Sequence, residues 1–213
     1  MKKDSIAIGC LTGILAVIML TALTVGLLLS GHWFYSLQID ALDIEQASGL
    51  ARAAIIENYD AVISFLSPFN NAKFSMPSLP ASDAGINHFE DVKTLIRGLY
   101  IAGAASAALL AAIALLLRKR IRARSLLAAS VCSLALPAIM IGGIALDFDG
   151  FFVLFHKLFF TNDDWLFNYV TDPVINILPA KYFMNCGVIL AAVWILSGVF
   201  FFIMHRRAKK KPA

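Results

Sequence analysis

The chain has 213 residues, 60% of them hydrophobic, and its mean hydropathy of +0.78 is far above that of a soluble globular domain. These values exclude a water-soluble enzyme and indicate an integral membrane protein. The formal net charge of +4 is spread very unevenly, and the three Cys all fall in apolar runs, so exported loops have no disulfide to form.

Four runs lack Asp, Glu, Lys and Arg, and each is long enough for the roughly 20 residues that cross a hydrocarbon core. They predict transmembrane helices at about 6–29, 98–117, 125–146 and 182–204. The first run is too long for a signal-peptide core and has no A-x-A cleavage site after it, so we interpret it as an uncleaved anchor. We therefore expect an all-α integral membrane protein that forms a single membrane domain over residues 1–213.

Charge predicts the orientation of these helices. Lys and Arg cluster at the N-terminus, in RKRIRAR (118–124) and in HRRAKKK (205–211), whereas all Asp and Glu except Asp4 lie in residues 30–97 and 147–181. By the positive-inside rule, both termini are cytoplasmic and these two loops are extracytoplasmic. The basic clusters are short membrane anchors, which argues against a nucleic-acid partner.

The two loops carry further predicted elements. Apolar residues at helical spacing predict an amphipathic helix over 48–66, and 67–85 is an irregular connector in which short strands are an open alternative. Asn87 and Glu90 form a capping pattern, which predicts that the second spanning helix starts at His88 above the membrane. We expect Thr161 or Asn162 to cap a short helix over 163–170, and Asp172 to cap another over 174–178. These short helices should lie flat at the membrane surface.

Two of the four His have candidate chemistry. His88 lies at a predicted helix N-terminus, which disfavours imidazolium, and Asp91 shares its face. His156 lies among Phe152, Phe155, Phe159 and Phe160, and burial there also favours the neutral imidazole that a general base requires. The alternatives are a surface His in a capping turn for His88 and an interfacial His for His156. We interpret His32 and His205 as interfacial and flanking residues.

Polar side chains near these two His are candidates for supporting roles. Asn162, Asp163 and Asp164 offer partners for an imidazole or a cationic substrate, or else cap a helix, and Asp149, His156 and Asp163 would share a face if 149–163 were one helix. Lys93 and Arg97 bind a lipid phosphate or anchor their helix. No hydrolase or P-loop motif is present, and no spacing specifies a metal site, so we expect neither a metal nor another cofactor.

Three motifs carry a family resemblance. HFEDVK (88–93), FHKLFFTNDDWLFN (155–168) and DPVINILP (172–179), on four predicted spans, resemble bacterial lipoprotein intramolecular transacylase. The resemblance implies transfer of the sn-2 acyl chain of a diacylglyceryl lipoprotein onto the α-amine of its N-terminal Cys, which gives a lyso-form lipoprotein. The family's two essential His match His88 and His156.

The function expected from these observations is metal-free acyl transfer at the extracytoplasmic boundary of the bacterial cell membrane. The partners are then diacylglyceryl lipoproteins and membrane lipid. We expect binding or supporting roles for Asp91, Lys93, Arg97, Asn162, Asp163, Asp164, Trp165 and Asp172. Two alternatives stay open at this point: a non-catalytic membrane protein that binds exported lipids or proteins, and a metal-dependent membrane hydrolase.

Overall fold

The computed structural model describes residues 2–117 and 120–210. This part of the chain contains nine α-helices and no β-strand, which confirms the all-α prediction and leaves out the short strands considered for residues 67–85. The helices are α1 (Lys2–Leu28), α2 (Trp33–Ala41), α3 (Ile44–Ser48), α4 (Arg52–Leu66), α5 (Asp83–Leu116), α6 (Ala123–Leu146), α7 (Phe148–Phe159), α8 (Val174–Ile177) and α9 (Ala180–Lys210).

Four helices of the described chain are long and apolar enough to cross a membrane: α1, α5, α6 and α9. They contain the four predicted spans almost completely. The predicted start of the second helix is wrong, because α5 begins at Asp83 and Asn87 therefore lies inside it. Charged side chains occur in α5 only up to Arg97, so its membrane-spanning part is the apolar 98–116.

One compact unit consists of residues 2–24, 99–117, 120–146 and 187–210. Small residues let its helices approach closely, as is common in membrane bundles. A Cβ on Gly13 of α1 would lie 2.6 Å from the backbone oxygen of Ala129 in α6. Ser130 Oγ of α6 donates a hydrogen bond to the Gly198 carbonyl of α9 at 2.8 Å. Close backbone contact and this interhelical hydrogen bond hold the unit together.

The other unit consists of residues 25–98 and 147–186. Its core is a cluster of tyrosines: the rings of Tyr35 and Tyr59 stack with centroids 3.9 Å apart, and the Tyr59 and Tyr182 hydroxyls are 2.9 Å apart. The Tyr35 hydroxyl also donates to the Ile177 carbonyl at 2.6 Å. The cluster joins α2, α4, α8 and the start of α9. Helix α4 lies within the predicted amphipathic segment 48–66. The prediction of a single membrane domain over 1–213 stays a prediction.

In the second predicted loop, residues 147–181, the helices differ from those that the sequence predicts. Helix α7 buries His156 but leaves a row of large apolar side chains exposed: Val153, Leu154, Phe155, Leu158 and Phe159. An exposed apolar face of this kind is what an interfacial helix presents to a bilayer. The predicted helix over 163–170 does not form; instead Asn162 Oδ1 accepts from the Asp164 backbone N–H at 3.1 Å, and the chain turns.

Candidate active site

His156 lies in the last turn of α7 and is only 9% exposed. Its Nδ1 is 2.8 Å from the Phe152 carbonyl oxygen four residues earlier. A carbonyl can only accept, so Nδ1 carries the proton, and the lone pair of the neutral imidazole is on Nε2. Burial lowers the pKa of His156, although the hydrogen bond to Phe152 acts in the opposite direction. The side chain is therefore a neutral imidazole with a fixed tautomer.

His88 lies in the charged first part of α5, ahead of the membrane-spanning 98–116, and is only 7% exposed. Burial, reinforced by the nearby His156, lowers the pKa of His88 to about 4, while Asp91 and Asp164 act to raise it. Its Nδ1 is buried and has no hydrogen-bond partner within the described chain. Buried ring nitrogens are usually paired, and an unpaired one needs an explanation.

The two imidazoles are close neighbours, with ring centroids 5.8 Å apart and ring planes inclined by 36°. Aromatic rings enclose the pair. Trp165 stacks on His156 at 4.7 Å and Phe152 lies 4.2 Å from it, whereas Phe160 and Phe167 meet His88 edge-on at 4.9 and 5.4 Å. This apolar shell keeps water away from both rings and keeps both rings uncharged.

The predicted residues Asp91, Asn162, Asp164 and Trp165 border this pair. Asn162 Nδ2 donates to Asp91 Oδ2 at 2.9 Å, and Trp165 Nε1 donates to the Asn162 carbonyl at 3.1 Å. The bond from Asn162 to Asp91 ties the turn after α7 to the α5 turn that follows His88, and the bond from Trp165 to Asn162 lies within the turn after α7. The turn thereby presents Trp165 to His156 and keeps Asp91 and Asp164 near His88.

Asp172 supports the site from the start of α5. Its carboxylate accepts from the Ser82 backbone N–H at 2.8 Å and from the Ser82 hydroxyl at 2.9 Å, while Ser82 Oγ accepts from the Gly85 N–H at 3.0 Å. Ser82 is thus the N-cap, and Asp172 supplies the carboxylate that completes the cap. The predicted Asp172 cap on α8 is wrong, because α8 has no side-chain cap.

The remaining predicted residues lie elsewhere. Lys93 is buried with its Nζ 3.9 Å above the Phe65 ring, and an Arg97 guanidinium nitrogen is 3.4 Å from the Asn70 carbonyl oxygen. Asp163 is exposed and follows the end of α7, so it does not share a helical face with Asp149 and His156. Among the described residues, no hydrogen bond or ring interaction joins these three candidates to either imidazole.

The other two His make separate contacts. His32 Nδ1 is 2.9 Å from an Asp60 carboxylate oxygen, and both side chains are exposed. His205 is buried, and its Nδ1 donates to the Ala123 carbonyl at 2.6 Å. In residues 2–117 and 120–210, no group of three or more His, Cys, Asp or Glu could hold a metal ion.

Sequence reasoning missed two contributors. Phe167 contacts His88 from a distant part of the chain and therefore has no local signal. Ser82 caps α5 by accepting from the Gly85 N–H three residues on, so it is a local N-cap signal that was overlooked. The predicted burial of His156 by Phe155 and Phe159 is only partly right. Phe155 touches the ring edge-on at 5.6 Å but is 42% exposed, and Phe159 packs against Phe155 instead.

Both the sequence and the fold of this chain are similar to those of known proteins. The family model described as lipoprotein intramolecular transacylase Lit matches residues 10–183. A solved structure of the membrane-integral lipoprotein intramolecular transacylase Lit from Bacillus cereus is 28% identical, with a TM-score of 0.88 over 99% of this chain and 98% of that one. Structures of that protein with a His-to-Arg or a His-to-Ala mutation match with TM-scores of 0.82 and 0.83 at the same identity; each match covers 98% of this chain, and 93% and 95% of those chains. No curated protein matches the chain.

Proposed function

Because the chain belongs to the lipoprotein intramolecular transacylase Lit family, we propose that this membrane-integral acyltransferase moves the sn-2 acyl chain of a diacylglyceryl lipoprotein onto the α-amine of the lipoprotein's own N-terminal Cys. The observation that carries the proposal is the pair of buried, uncharged imidazoles, His88 and His156, 5.8 Å apart within an aromatic shell. The product is a lyso-form lipoprotein with one amide-linked chain.

The substrate carries both the nucleophile and the ester, so the enzyme's first task is positioning. Attack of the amine nitrogen on the sn-2 carbonyl carbon closes a roughly eight-membered ring, and holding the two groups together supplies much of the rate. The aromatic rings of Phe152, Phe160, Trp165 and Phe167 form an apolar enclosure suited to a lipid ester. No Ser or Cys nucleophile is required.

His156 is the general base. The attack forms a C–N bond and a tetrahedral intermediate whose nitrogen is far more acidic than a free ammonium, so a weak base is sufficient to deprotonate it. The lone pair on Nε2 accepts this proton, because Nδ1–H is held by Phe152. The bond between the carbonyl carbon and the glyceryl oxygen then breaks, and the imidazolium returns the proton to that oxygen.

His88 stabilises the intermediate. A neutral imidazole has one N–H and one lone pair. With His88 uncharged, its single N–H donates to the oxyanion that develops on the sn-2 carbonyl oxygen, which is a common and large contribution to acyl transfer. The short distance between the rings lets the base and this donor contact one reacting group.

The alternatives are weaker. The non-catalytic interpretation is disfavoured because the chain belongs to a family of transacylases, which are enzymes. No specific observation favours a metal-dependent hydrolase, since the described residues provide no cluster of three metal-binding side chains.

We place the site at the extracytoplasmic boundary of the bacterial cell membrane, with both termini cytoplasmic. The supporting arguments are the distribution of Lys and Arg along the chain and the transition in α5 from charged residues to the apolar 98–116, ten residues after His88. Diacylglyceryl lipoproteins reach this boundary with their acyl chains in the membrane, so they are the expected partners.

The two imidazoles are tested by substitution. We expect His156→Ala and His88→Ala each to reduce conversion of a diacylglyceryl lipopeptide by about 10²- to 10⁴-fold, because each removes a proton-transfer or oxyanion group. Mass spectrometry of the lipopeptide measures the conversion, with normal accumulation of each variant verified in membranes. His32→Ala is the matched control, since His32 pairs with Asp60 in an exposed position. Wild-type turnover by a well-folded His156→Ala variant would eliminate the proposed base.

A further inference from the structure

Two carboxylates border the site without a compensating cation. Asp91 lies one turn after His88 on α5, and Asp164 precedes Trp165, whose ring stacks on His156. Within the described part of the chain, the ion pairs are His32–Asp60 and Arg52–Asp40, and neither involves these residues. Asp91 Oδ2 accepts one hydrogen bond from Asn162, and no hydrogen bond reaches its Oδ1 or the Asp164 carboxylate from the described residues. Neither carboxylate thus has a salt-bridge partner among the described residues, and both lie close enough to His88 to act on it electrostatically.

A second observation indicates a missing hydrogen-bond donor. The buried Nδ1 of His88 has no partner, and His88 is more than nine-tenths buried. If the single N–H of His88 donates to the oxyanion from Nε2, its Nδ1 is an acceptor. On this tautomer the site offers three acceptors that lack a cationic partner: two carboxylates and one imidazole nitrogen. The complementary group is a cation with several N–H donors.

The reacting end of the substrate carries such a group. The α-amine has an ordinary pKa of roughly 7.7–8.0 and is mostly an ammonium at neutral pH, while the glyceryl esters are uncharged. We propose that Asp91 and Asp164 bind this ammonium and position it beside His88 and His156. This inference rests on the proposed function and assigns the residues that recognise the free amine.

The role is in binding and not in proton transfer. Before the attack the bound ammonium releases one proton to bulk water, and the amine that remains is the nucleophile. A carboxylate pair stabilises the ammonium and so opposes this loss, which means that removing the charge weakens binding without slowing the chemical step. We expect Asp164→Asn to raise KM on the order of tenfold, as for loss of one charge-assisted contact, while kcat stays at or above the wild-type value. A merely structural role would lower kcat as well.

Two unreactive analogues test the inference. Both carry an sn-2 alkyl ether in place of the ester, so transfer is blocked; one has a free amine and the other is N-acetylated. At pH 6.5 the full-length wild-type enzyme in detergent micelles should bind the free-amine analogue on the order of tenfold more tightly. In the Asp91→Asn/Asp164→Asn double variant the two affinities should become nearly equal. Asp163→Asn is the control, because Asp163 is an exposed neighbour that is not among the groups acting on the pKa of either imidazole, and it should keep the wild-type preference.

The outcomes separate the two claims. Equal affinities in the wild type, or an unchanged preference in the double variant, would overturn the amine site while leaving the transacylase function intact. If the wild type binds neither analogue, the proposed function fails and the amine site fails with it. The single variant Asp164→Asn gives an independent answer if the double variant does not fold, because the Asp164 side chain makes no hydrogen bond in the described structure.

Discussion

At the residue scale, the site depends on two imidazoles that stay uncharged at neutral pH. The pKa of His88 is lowered to about 4 and that of His156 is also lowered, both mainly by burial in aromatic surroundings. A lowered pKa favours the neutral form, so the two rings become protonated only at a lower pH than an ordinary His, whose pKa is 6.5. The proposed base therefore stays competent in mildly acidic solution, where an exposed His would not.

This difference predicts the pH dependence of kcat/KM. Below the amine pKa of roughly 7.7–8.0, log kcat/KM should fall with a slope of one, because only the substrate amine is being protonated. A slope of two should begin only below pH 6.5, where the rings themselves protonate. Initial rates with a diacylglyceryl lipopeptide in detergent micelles, between pH 5 and 9, measure both slopes. A slope of two that sets in at or above pH 6.5 would mean that the imidazoles titrate normally.

The catalytic roles of His88 and His156 stay predictions, and the structure adds a geometry that could not be read from the sequence. The Phe residues around His156 are visible in the sequence, whereas the rings that meet His88 edge-on, Phe160 and Phe167, lie far along the chain. The contact made by Lys93 could not be predicted either. Its position one turn before Arg97 is the same whether its ammonium meets a lipid phosphate or, as here, the Phe65 ring.

At the element scale, the position of His88 depends on how α5 begins. The sequence offered Asn87 and Glu90 as a local cap, but the helix starts at Asp83 and is capped by Ser82 with Asp172, ninety residues along the chain. Ser82 is a local N-cap signal, because its Oγ accepts from the Gly85 N–H, but the Asp172 carboxylate that completes the cap leaves no local pattern. The helix predicted over 163–170 does not form for a related reason, because Asn162, one of its two predicted caps, bonds to Asp91 on another element.

This cap predicts a stability effect. Asp172 is 3% exposed; burial acts to raise the pKa of its carboxyl, but hydrogen bonds from Thr171 and Ser82 hold that pKa below the ordinary value. Asp172→Ala should therefore lower the free energy of unfolding by about 1.5–3 kcal/mol, as for loss of hydrogen bonds to a charged group, and should reduce kcat because the turn carrying His88 shifts. Thermal unfolding in detergent measures the stability.

Two further variants make this test specific. Gly85→Ala should act in the same direction, because an added Cβ would collide with Asp172 Oδ1. Glu90→Ala, an exposed carboxylate on the same helix, should unfold at the wild-type temperature. An Asp172→Ala variant as stable as the wild type would show that the cap does not hold the start of α5.

At the scale of the whole molecule, the architecture is the feature that the sequence predicted most completely. Four uncharged runs specify four spanning helices because hydrocarbon tolerates so few charges, and this constraint acts on each helix independently of its neighbours. The helices α2 and α3 were not predicted. They are short, and burial of Tyr35 and Ile44 in the tyrosine-centred unit stabilises them more than any local periodicity.

The charge distribution predicts which side each loop occupies. In a variant without Cys10, Cys132 and Cys186, a single Cys at the exposed positions Lys73 or Tyr169 should react with a membrane-impermeant thiol reagent on intact cells. A Cys at the exposed Arg124 or Lys209 should react only after the membrane is permeabilised. Labelling in the reverse pattern would invert the orientation and put His88 and His156 on the cytoplasmic side.

The measurement that tests the central claim most directly is a crossover experiment with purified enzyme. Two diacylglyceryl lipopeptides are mixed, one with deuterated acyl chains on a light peptide and one with ordinary chains on a heavy peptide, in the presence of unlabelled phospholipid. Intramolecular transfer predicts that each product keeps its substrate's total mass, with one of its own chains moved from glycerol to the amide. A deuterated chain on the heavy peptide, a phospholipid chain on either amide, or release of free fatty acid would each contradict the account.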